Sequence, residues 1–403
     1  MLSFEEARTI LRSLPGEGRR ETVTLMQAGG RVLAADVLLD RDQPGFDRAT
    51  MDGYAVVPDG EQRCFPVLGT VTAGTFHEGD LGPGQAIRIM TGAPCPPGVA
   101  VVPIELTDGG EAEVRVQEDA PLQVTKNVAL RGEDGHAGDV ILSAGTLLGP
   151  ATLSAAAMAG ATQLEVFVPP RVAIVTTGDE VGGEGAASIR DSNGPLLEAF
   201  LSALGCPVVR EHARDVEGEL EAALARASDG AEVVVTTGGV SMGSRDLVPD
   251  TIARLGFETV FHKVRVQPGK PVLVARRPSD GTSFVGLPGN PVSVLATAHI
   301  FLLEVLGSYL GGTPARWLEL PIARDYVHRG KRHLFLPARL DDGGVDPIDW
   351  NGSGDLLAAA SGDGLVELPV GASFRAGERI TFLPYLGHSP GSRGLLPPRE
   401  PRA

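Results

Sequence analysis

An α/β fold flanked by β-rich domains is what this sequence predicts, and three observations carry the prediction. Between residues 171 and 310, short apolar runs alternate with stretches of helical length and pattern. The runs, such as Val233-Val234-Val235, are β-branched and apolar on both faces, as parallel strands buried beneath helices must be. Outside this region the pattern gives way to short strands separated by glycine and proline. Strand–helix alternation of this kind implies a doubly wound parallel sheet with right-handed crossovers. At 403 residues the chain exceeds one ordinary core, so two to four domains are expected.

The chain opens in a helix. Ser3 can cap it, Glu6 stands three residues on, and Phe4, Ala7, Ile10, Leu11 and Leu14 make an apolar stripe. Residues 23–40 read as a short helix or strand segment with a turn at Gly29-Gly30. From 46 to 137, apolar runs at 54–57, 65–71, 86–90, 99–104 and 114–116 alternate with turns, which makes a β-rich module. Residues 138–168 hold a short strand at 140–141, a helix at 151–159 and a strand at 163–168, and Pro169-Pro170 marks a boundary. In the α/β region the expected strands are 172–176, 208–209, 233–236, 272–274 and 284–286. The expected helices are 196–204, ended by Gly205, then 218–227, 247–255 and 292–310. Beyond Gly311-Gly312-Thr313-Pro314, strands at 318–322, 334–340, 365–368 and 379–383 form a small β domain. The expected domains are thus 1–45 plus 138–168, an inserted module 46–137, an α/β domain 171–312, a C-terminal β domain 313–386 and a flexible tail 387–403. The first of these is too small and ribbon-like to bury a core, so a second chain is expected to cover it, and a homodimer follows.

A net charge of −16 argues against nonspecific binding to nucleic acid or to an anionic membrane, so any anion site must be a local cationic pocket. The three cysteines, Cys64, Cys95 and Cys206, are far apart and form no Cys-x-x-Cys pair. They read as free thiols of a cytoplasmic protein and not as a zinc site or disulfide framework. The first residues lack the basic and apolar regions of a signal peptide, and no apolar run is expected to reach the roughly 20 residues that span a bilayer.

Seven motifs could carry chemistry. Thr50-Met51-Asp52-Gly53-Tyr54 sets an acid before an apolar strand, Met90-Thr91-Gly92 ends another strand, and Arg131-Gly132-Glu133-Asp134 is a charged turn. Each alone is most simply a solvated turn. Thr177-Gly178-Asp179-Glu180 and Thr237-Gly238-Gly239-Val240-Ser241, the latter running on to Arg245-Asp246, follow strands whose carboxyl ends share one sheet edge. That edge is where ligands bind in open α/β folds, and it gives Glu180 and Asp246 a geometric reason to share a pocket, with Asp215 after the neighbouring strand. Lys263, Arg265 and Gln267 alternate along an expected strand, with Lys270 in the turn beyond; this is either a cationic anion cradle or an ordinary amphipathic edge. Last, Pro288-Gly289-Asn290-Pro291 forms a stiff turn into a helix whose first N–H groups are expected to be free.

Taken in this order, Met-Asp-Gly-Tyr-Ala, Thr-Gly-Ala-Pro, Arg-Gly-Glu-Asp, Thr-Gly-Asp-Glu, Gly-Gly-Val-Ser, Pro-Gly-Lys-Pro and Gly-Leu-Pro-Gly-Asn-Pro-Val-Ser resemble the molybdopterin molybdenumtransferase family, MoeA and the C-terminal part of gephyrin, over nearly the whole chain. The resemblance implies an elongated four-domain subunit with a molybdopterin-binding α/β domain. It also implies a homodimer in which the module 46–137 of one subunit completes the site of the other. The implied reaction converts adenylylated molybdopterin and molybdate to molybdenum cofactor with release of AMP, helped by Mg²⁺ or another divalent cation. The implied acidic set is Asp52, Asp134, Glu180, Asp215 and Asp246, with Glu180 and Asp246 as metal ligands. The implied substrate contacts are Thr91, Arg131, Thr177, Gly178, Gly238, Gly239, Ser241, Lys263, Lys270, Pro288, Asn290, Pro291 and Ser353, the last in Asn351-Gly352-Ser353-Gly354. Expected partners are the upstream adenylyltransferase and the enzymes that accept the cofactor.

Two departures from the family pattern stand out: Gln267 where many members carry lysine, and Asn351 in place of glutamine. The chemistry fits the residues, since lysines can hold a dianion by charge and hydrogen bonds, and carboxylates can hold Mg²⁺ through oxygen. Two other readings predict different chains. A molybdopterin adenylyltransferase uses a related Gly-Gly turn but predicts a short single-domain protein. A gephyrin-like scaffold predicts a linker and loss of the acidic set, which here is intact.

Overall fold

The computed structural model describes residues 1–14, 16, 18–182, 188–214, 216–240, 247–312 and 317–387. Asp215, Ser241, Asp246, the Thr313-Pro314 boundary and the tail from 388 lie outside the described residues. Two units are distinguished: Met1–Val23 with Gly30–Ala34 and Glu165–Ala403, and Thr24–Gly29 with Ala35–Leu164.

The first unit begins with helix α1, Phe4–Ser13, closed by the expected capping box: the Ser3 hydroxyl accepts the Glu6 N–H and the Glu6 carboxylate accepts the Ser3 N–H. Its sheet elements run β1 (Val172–Thr177), α2 (Asn193–Ser202), β2 (Val208–Ala213), α3 (Glu217–Gly230), β3 (Val233–Thr237), α4 (Val248–Arg254), β4 (Glu258–His262), β5 (Leu273–Arg276) and β6 (Ser283–Leu287). The sheet order is β2-β1-β3-β6-β5-β4. Residues alternate between two cores. Val172, Ile174, Val233, Val235, Val285 and Leu287 face one side, with α1 and α2. Ala173, Val175, Val234 and Phe284 face the other, with α3 and α4. Helices on both faces make the sheet doubly wound, as expected.

The all-parallel expectation holds only for β2, β1, β3 and β6. Strands β5 and β4 run antiparallel. Only residues 277–282 join β5 to β6, too few for a crossover helix, so the chain must turn back as a hairpin. The expected strand through Lys263, Arg265 and Gln267 also fails. Strand β4 stops at His262, Lys263 takes φ 71°, and Val266–Gln267 pairs with His333–Asp341 in a different sheet. A left-handed residue breaks the two-residue alternation, so these three side chains do not line one face.

After β6 the chain is helical over Pro291–Thr297, a π-helical segment Ala298–Leu302, and Leu303–Gly307. Contrary to the expectation of no such run, the helix over Pro291–Leu310 is long and apolar enough to cross a membrane. It is 89% buried inside the protein, as a core helix. His299 in the π segment is buried. Its Nδ1–H donates to the Leu295 carbonyl at 2.7 Å, its Nε2 accepts the Leu386 N–H at 2.9 Å, and burial pushes its pKa down to about 4, so it stays neutral. Strands Leu318–Pro321, His333–Asp341, Gly364–Leu368 and Arg379–Pro384 form the C-terminal β domain; Gly344–Pro347 and the helix Leu356–Ala360 were not expected. Phe335, Leu365 and Leu383 join the α1 and α2 core, which seats this domain on the α/β domain.

In the second unit a five-stranded sheet has the order Ala100–Pro103, Gly53–Val56, Ala86–Ile89, Cys64–Val71, Glu113–Arg115, with a core on each face. A ribbon of Val37–Leu38 with Val140–Leu142 and the helices Leu25–Ala28 and Pro150–Met158 complete it.

Candidate active site

The carboxyl ends of β1, β3 and β6 lie side by side because the strands are parallel and in register. Three turns therefore meet: Gly178-Asp179-Glu180, Gly238-Gly239-Val240 and Pro288-Gly289-Asn290. Gly238 and Gly239 take φ of 89° and 65°, and a side chain on Gly238 would strike the Thr177 hydroxyl at 2.9 Å. The Gly238 N–H is held by the Leu287 carbonyl at 3.0 Å, and the Val240 carbonyl accepts from His262 Nε2 at 2.8 Å. Among the described residues, the N–H groups of Gly239 and Val240 have no protein acceptor.

Two cavities share this glycine floor. The larger, about 510 Å³, is walled by Gln267-Pro268-Gly269-Lys270-Pro271, by Pro288-Gly289-Asn290 and Ser293, and by Arg332, Trp350, Gly352 and Ser353 of the C-terminal domain. It contains two cations, Lys270 and Arg332, and no carboxylate among the described residues. In a chain of net charge −16, a local cationic pocket of this kind is what an anion site would need. Asn290 Nδ2 donates to the Ser353 hydroxyl at 2.9 Å, and the Val292 N–H to the Ser353 carbonyl at 3.0 Å. The Pro-Gly-Asn-Pro turn is thereby fixed to the last domain, and one of the helix N–H groups expected to be free is already taken.

The narrower cavity, about 110 Å³, is lined by Thr177, Gly178, Glu180, Asp191, Asn193, Gly238, Gly239 and Pro291, among others. Thr177 Oγ1 donates to the Thr237 carbonyl at 3.2 Å. Asp191 accepts the N–H groups of Asn193 and Gly194 at 3.1 and 2.9 Å and pairs with Arg210 at 3.1 Å. Glu180 is exposed, and its side chain has no hydrogen-bond partner among the described residues.

Of the predicted site residues, the structure brings Thr177, Gly178, Glu180, Gly238, Gly239, Lys270, Pro288, Asn290, Pro291 and Ser353 to these two cavities. Lys263 lines neither. Asp215, Ser241 and Asp246 lie outside the described residues. Arg332, Trp350 and the Asp191–Asn193 turn were missed. The signals were faint: a basic Lys331-Arg332 pair before a strand, and an Asp-Ser-Asn-Gly helix start.

The remaining predicted residues belong to the second unit. Asp52 Oδ1 accepts the N–H of Thr91 at 2.6 Å and its hydroxyl at 2.7 Å. The N–H above all, then the hydroxyl, holds the Asp52 carboxyl below the usual range, so it stays ionised. Gly53 is required beside it, because a Cβ there would run into the Val102 carbonyl. The Arg131 N–H donates to Asp47 at 2.8 Å and its Nε to Asp42 at 2.7 Å, beside an open cavity of about 410 Å³ that also holds Arg41 and Arg48. Asp134 is exposed on the same turn.

Against known proteins, residues 2–160 match the family model "MoeA N-terminal region (domain I and II)", 173–308 match "Probable molybdopterin binding domain", and 319–385 match "MoeA C-terminal region (domain IV)". Molybdopterin molybdenumtransferase 2 of Mycobacterium tuberculosis is 34% identical over 393 residues, covering 92% of this chain and 96% of that one. Molybdopterin molybdenumtransferase of Synechococcus elongatus is 34% identical over 376 residues, covering 88% and 92%. Among solved structures, a molybdopterin biosynthesis MoeA protein of Pyrococcus horikoshii is similar with a TM-score of 0.76 at 29% identity, covering 96% of this chain and all of that one.

Proposed function

This chain belongs to the MoeA family of molybdopterin molybdenumtransferases, enzymes of molybdenum cofactor biosynthesis, and from that premise we propose that it inserts molybdate into adenylylated molybdopterin, with release of AMP, in the glycine-floored cleft. The observation that supports this placement is the larger cavity itself: two cations and no described carboxylate in an acidic chain. Lys270 and Arg332 hold oxyanions, molybdate or the phosphates of the substrate, by charge-assisted hydrogen bonds. The N–H groups of Gly239 and Val240 add fixed dipoles toward the same anion. Attack of water on phosphorus then breaks the phosphoanhydride P–O bond and frees AMP, the water's oxygen staying on one phosphate and its protons going to solvent.

A divalent cation fits the donor set, because Glu180 offers a hard, exposed carboxylate with no described partner at the mouth of the narrower cavity. Glu180 would hold it, with Asp246 as the second ligand. Such an ion neutralises phosphoryl charge when bound. The test of the function is AMP release from adenylylated molybdopterin that depends on molybdate. Adenylation of molybdopterin from ATP without molybdate, or no nucleotide chemistry at all, would overturn the reading.

Gln267 supplies a graded test. It lines the cavity with Lys270, so Gln267→Lys adds a cation there. Screened attraction near a surface is worth about 0.5–1 kcal/mol, which lowers the molybdate concentration for half-maximal AMP release roughly two- to fivefold. The gain should shrink as salt rises. No change at low salt would place the oxyanion away from residue 267.

The proposal includes a homodimer. In the second unit Met26, Leu38, Val140, Leu147 and Met158 are 90, 49, 51, 64 and 47% exposed, and of the apolar helix Pro150–Met158 only Ala156 is buried. A surface of this kind is what a second copy covers. In that dimer the module 46–137 of one subunit, with Asp52, Thr91, Arg131 and Asp134, completes the site of the other. Light scattering at micromolar concentration should give twice the 41.9 kDa chain mass; a monomer counts against the proposal. A reducing cytoplasm suits the three free thiols, two of them, Cys95 and Cys206, with pKa values pushed up to about 12 by burial. The upstream adenylyltransferase and the cofactor-accepting enzymes remain the proposed partners.

A further inference from the structure

We infer that Asn193 reads the substrate: its Oδ1 accepts a hydrogen bond from an amine on a heteroaromatic ring at the narrow end of the cleft. The inference rests on the function proposed above and goes beyond it to the orientation of the substrate. Asn193 opens helix α2, and its Nδ2 donates to the Gly289 carbonyl at 2.7 Å. A carbonyl can only accept, so this contact sets the amide's orientation and turns Oδ1 the other way. Oδ1 is buried and has no partner among the described residues. Buried acceptors are normally paired, and an orphan in a cavity wall is what a site built for a donor leaves open when empty.

No described neighbour makes that bond, although Arg190 and Ser192 also line the cavity. Asp191 is an acceptor already committed to two N–H groups and Arg210, Thr177 donates to Thr237, and Glu180 is a carboxylate. The narrow cavity sets two carboxylates, Glu180 and Asp191, beside the exposed Arg190, whereas the wide one presents Lys270 and Arg332 with no carboxylate among the described residues. With two carboxylates at the narrow end and none described in the wide cavity, a ligand with phosphates and an amine-bearing ring is best satisfied with its ring edge toward Asn193 and its anionic part toward Lys270. At about 110 Å³ the narrow cavity takes a ring edge and not a whole nucleoside. Two rings of the proposed substrate carry such an amine, the adenine and the pterin.

The experiment compares full-length wild type, Asn193→Ala and Asn193→Asp in molybdate-dependent AMP release. Asn193→Ala is expected to raise KM for adenylylated molybdopterin about tenfold, with half-saturation by molybdate and the melting temperature unchanged. Asn193→Asp keeps an acceptor oxygen and loses the donor to Gly289, and is expected to stay within about threefold of wild-type KM. AMP and IMP as inhibitors separate the two rings. If the adenine amine is read, Asn193→Ala weakens AMP about tenfold and leaves IMP unchanged; if the pterin amine is read, both nucleotides are unaffected while KM still rises. An unchanged KM in Asn193→Ala overturns the inference. So do equal defects in both variants, or a joint shift in both substrates with a lower melting temperature, since these mean that only the Gly289 tether matters. A wild-type chain without molybdate-dependent release defeats the proposed function instead.

Discussion

Replacing Arg8 and Arg12 together by alanine is expected to destabilise the first unit by about 3–5 kcal/mol. The Glu304 side chain is only 2% exposed. Its Oε1 accepts from Arg8 Nε at 2.8 Å and Arg12 Nη2 at 3.1 Å, and its Oε2 from Arg12 Nε at 3.1 Å. Without both guanidinium groups a carboxylate is left buried and unpaired, and it must stay charged at high cost or take up a proton. Arg8 also lies 4.7 Å over the Trp317 ring, which adds a smaller loss. Helix α1 reaches the core through this network as well as through Phe4, Ala7 and Leu11. The check is thermal melting of the purified double variant with and without Glu304→Leu. Removing the stranded charge should recover most of the loss. If the triple variant melts as low as the double one, the packing of α1 and not the charge pairing is what was broken.

Glu180→Gln is expected to lower the rate of molybdate-dependent AMP release about a hundredfold, roughly 2–3 kcal/mol of barrier, without lowering the melting temperature. The two expectations have separate causes. The side chain is exposed with no described partner, so nothing in the fold depends on its charge, while the backbone carbonyl that accepts the Ile189 N–H at 2.8 Å is untouched. The amide is nearly isosteric and loses only the negative charge that a cation or a proton would use. Turnover in Glu180→Gln within twofold of wild type would remove Glu180 from the chemistry.

The sequence carried most of the first unit's architecture because its signals are local. Runs such as Val172–Thr177 and Val233–Thr237 are apolar on both faces, and that property is visible without knowing their neighbours. Edge strands were less legible. Val208–Ala213 includes Arg210, Glu211 and His212, and only its first two residues read as a strand, because one side of an edge strand faces water. The motif at Lys263 misled for a related reason. Period-two alternation presumes β backbone throughout, and φ of 71° at Lys263 cancels it where composition gives no warning.

By itself, then, the sequence determined the class of most segments, the family, and the form of the candidate ligand-binding turns: a glycine turn after an apolar strand, a capped helix start and a Pro-Gly-Asn-Pro corner owe their form to neighbours a few residues away. Which turns share a cavity was decided only by the tertiary structure. Asn290 and Ser353 bond across 63 positions of chain, Asn193 reaches Gly289 across 96, and Arg332 enters the cleft from another domain. No local pattern encodes such meetings, because they depend on the strand order β2-β1-β3-β6 and on how the last β domain seats against the first core. Those are outcomes of packing many apolar surfaces at once, and the polar side chains that end up facing each other are carried there by the core beneath them.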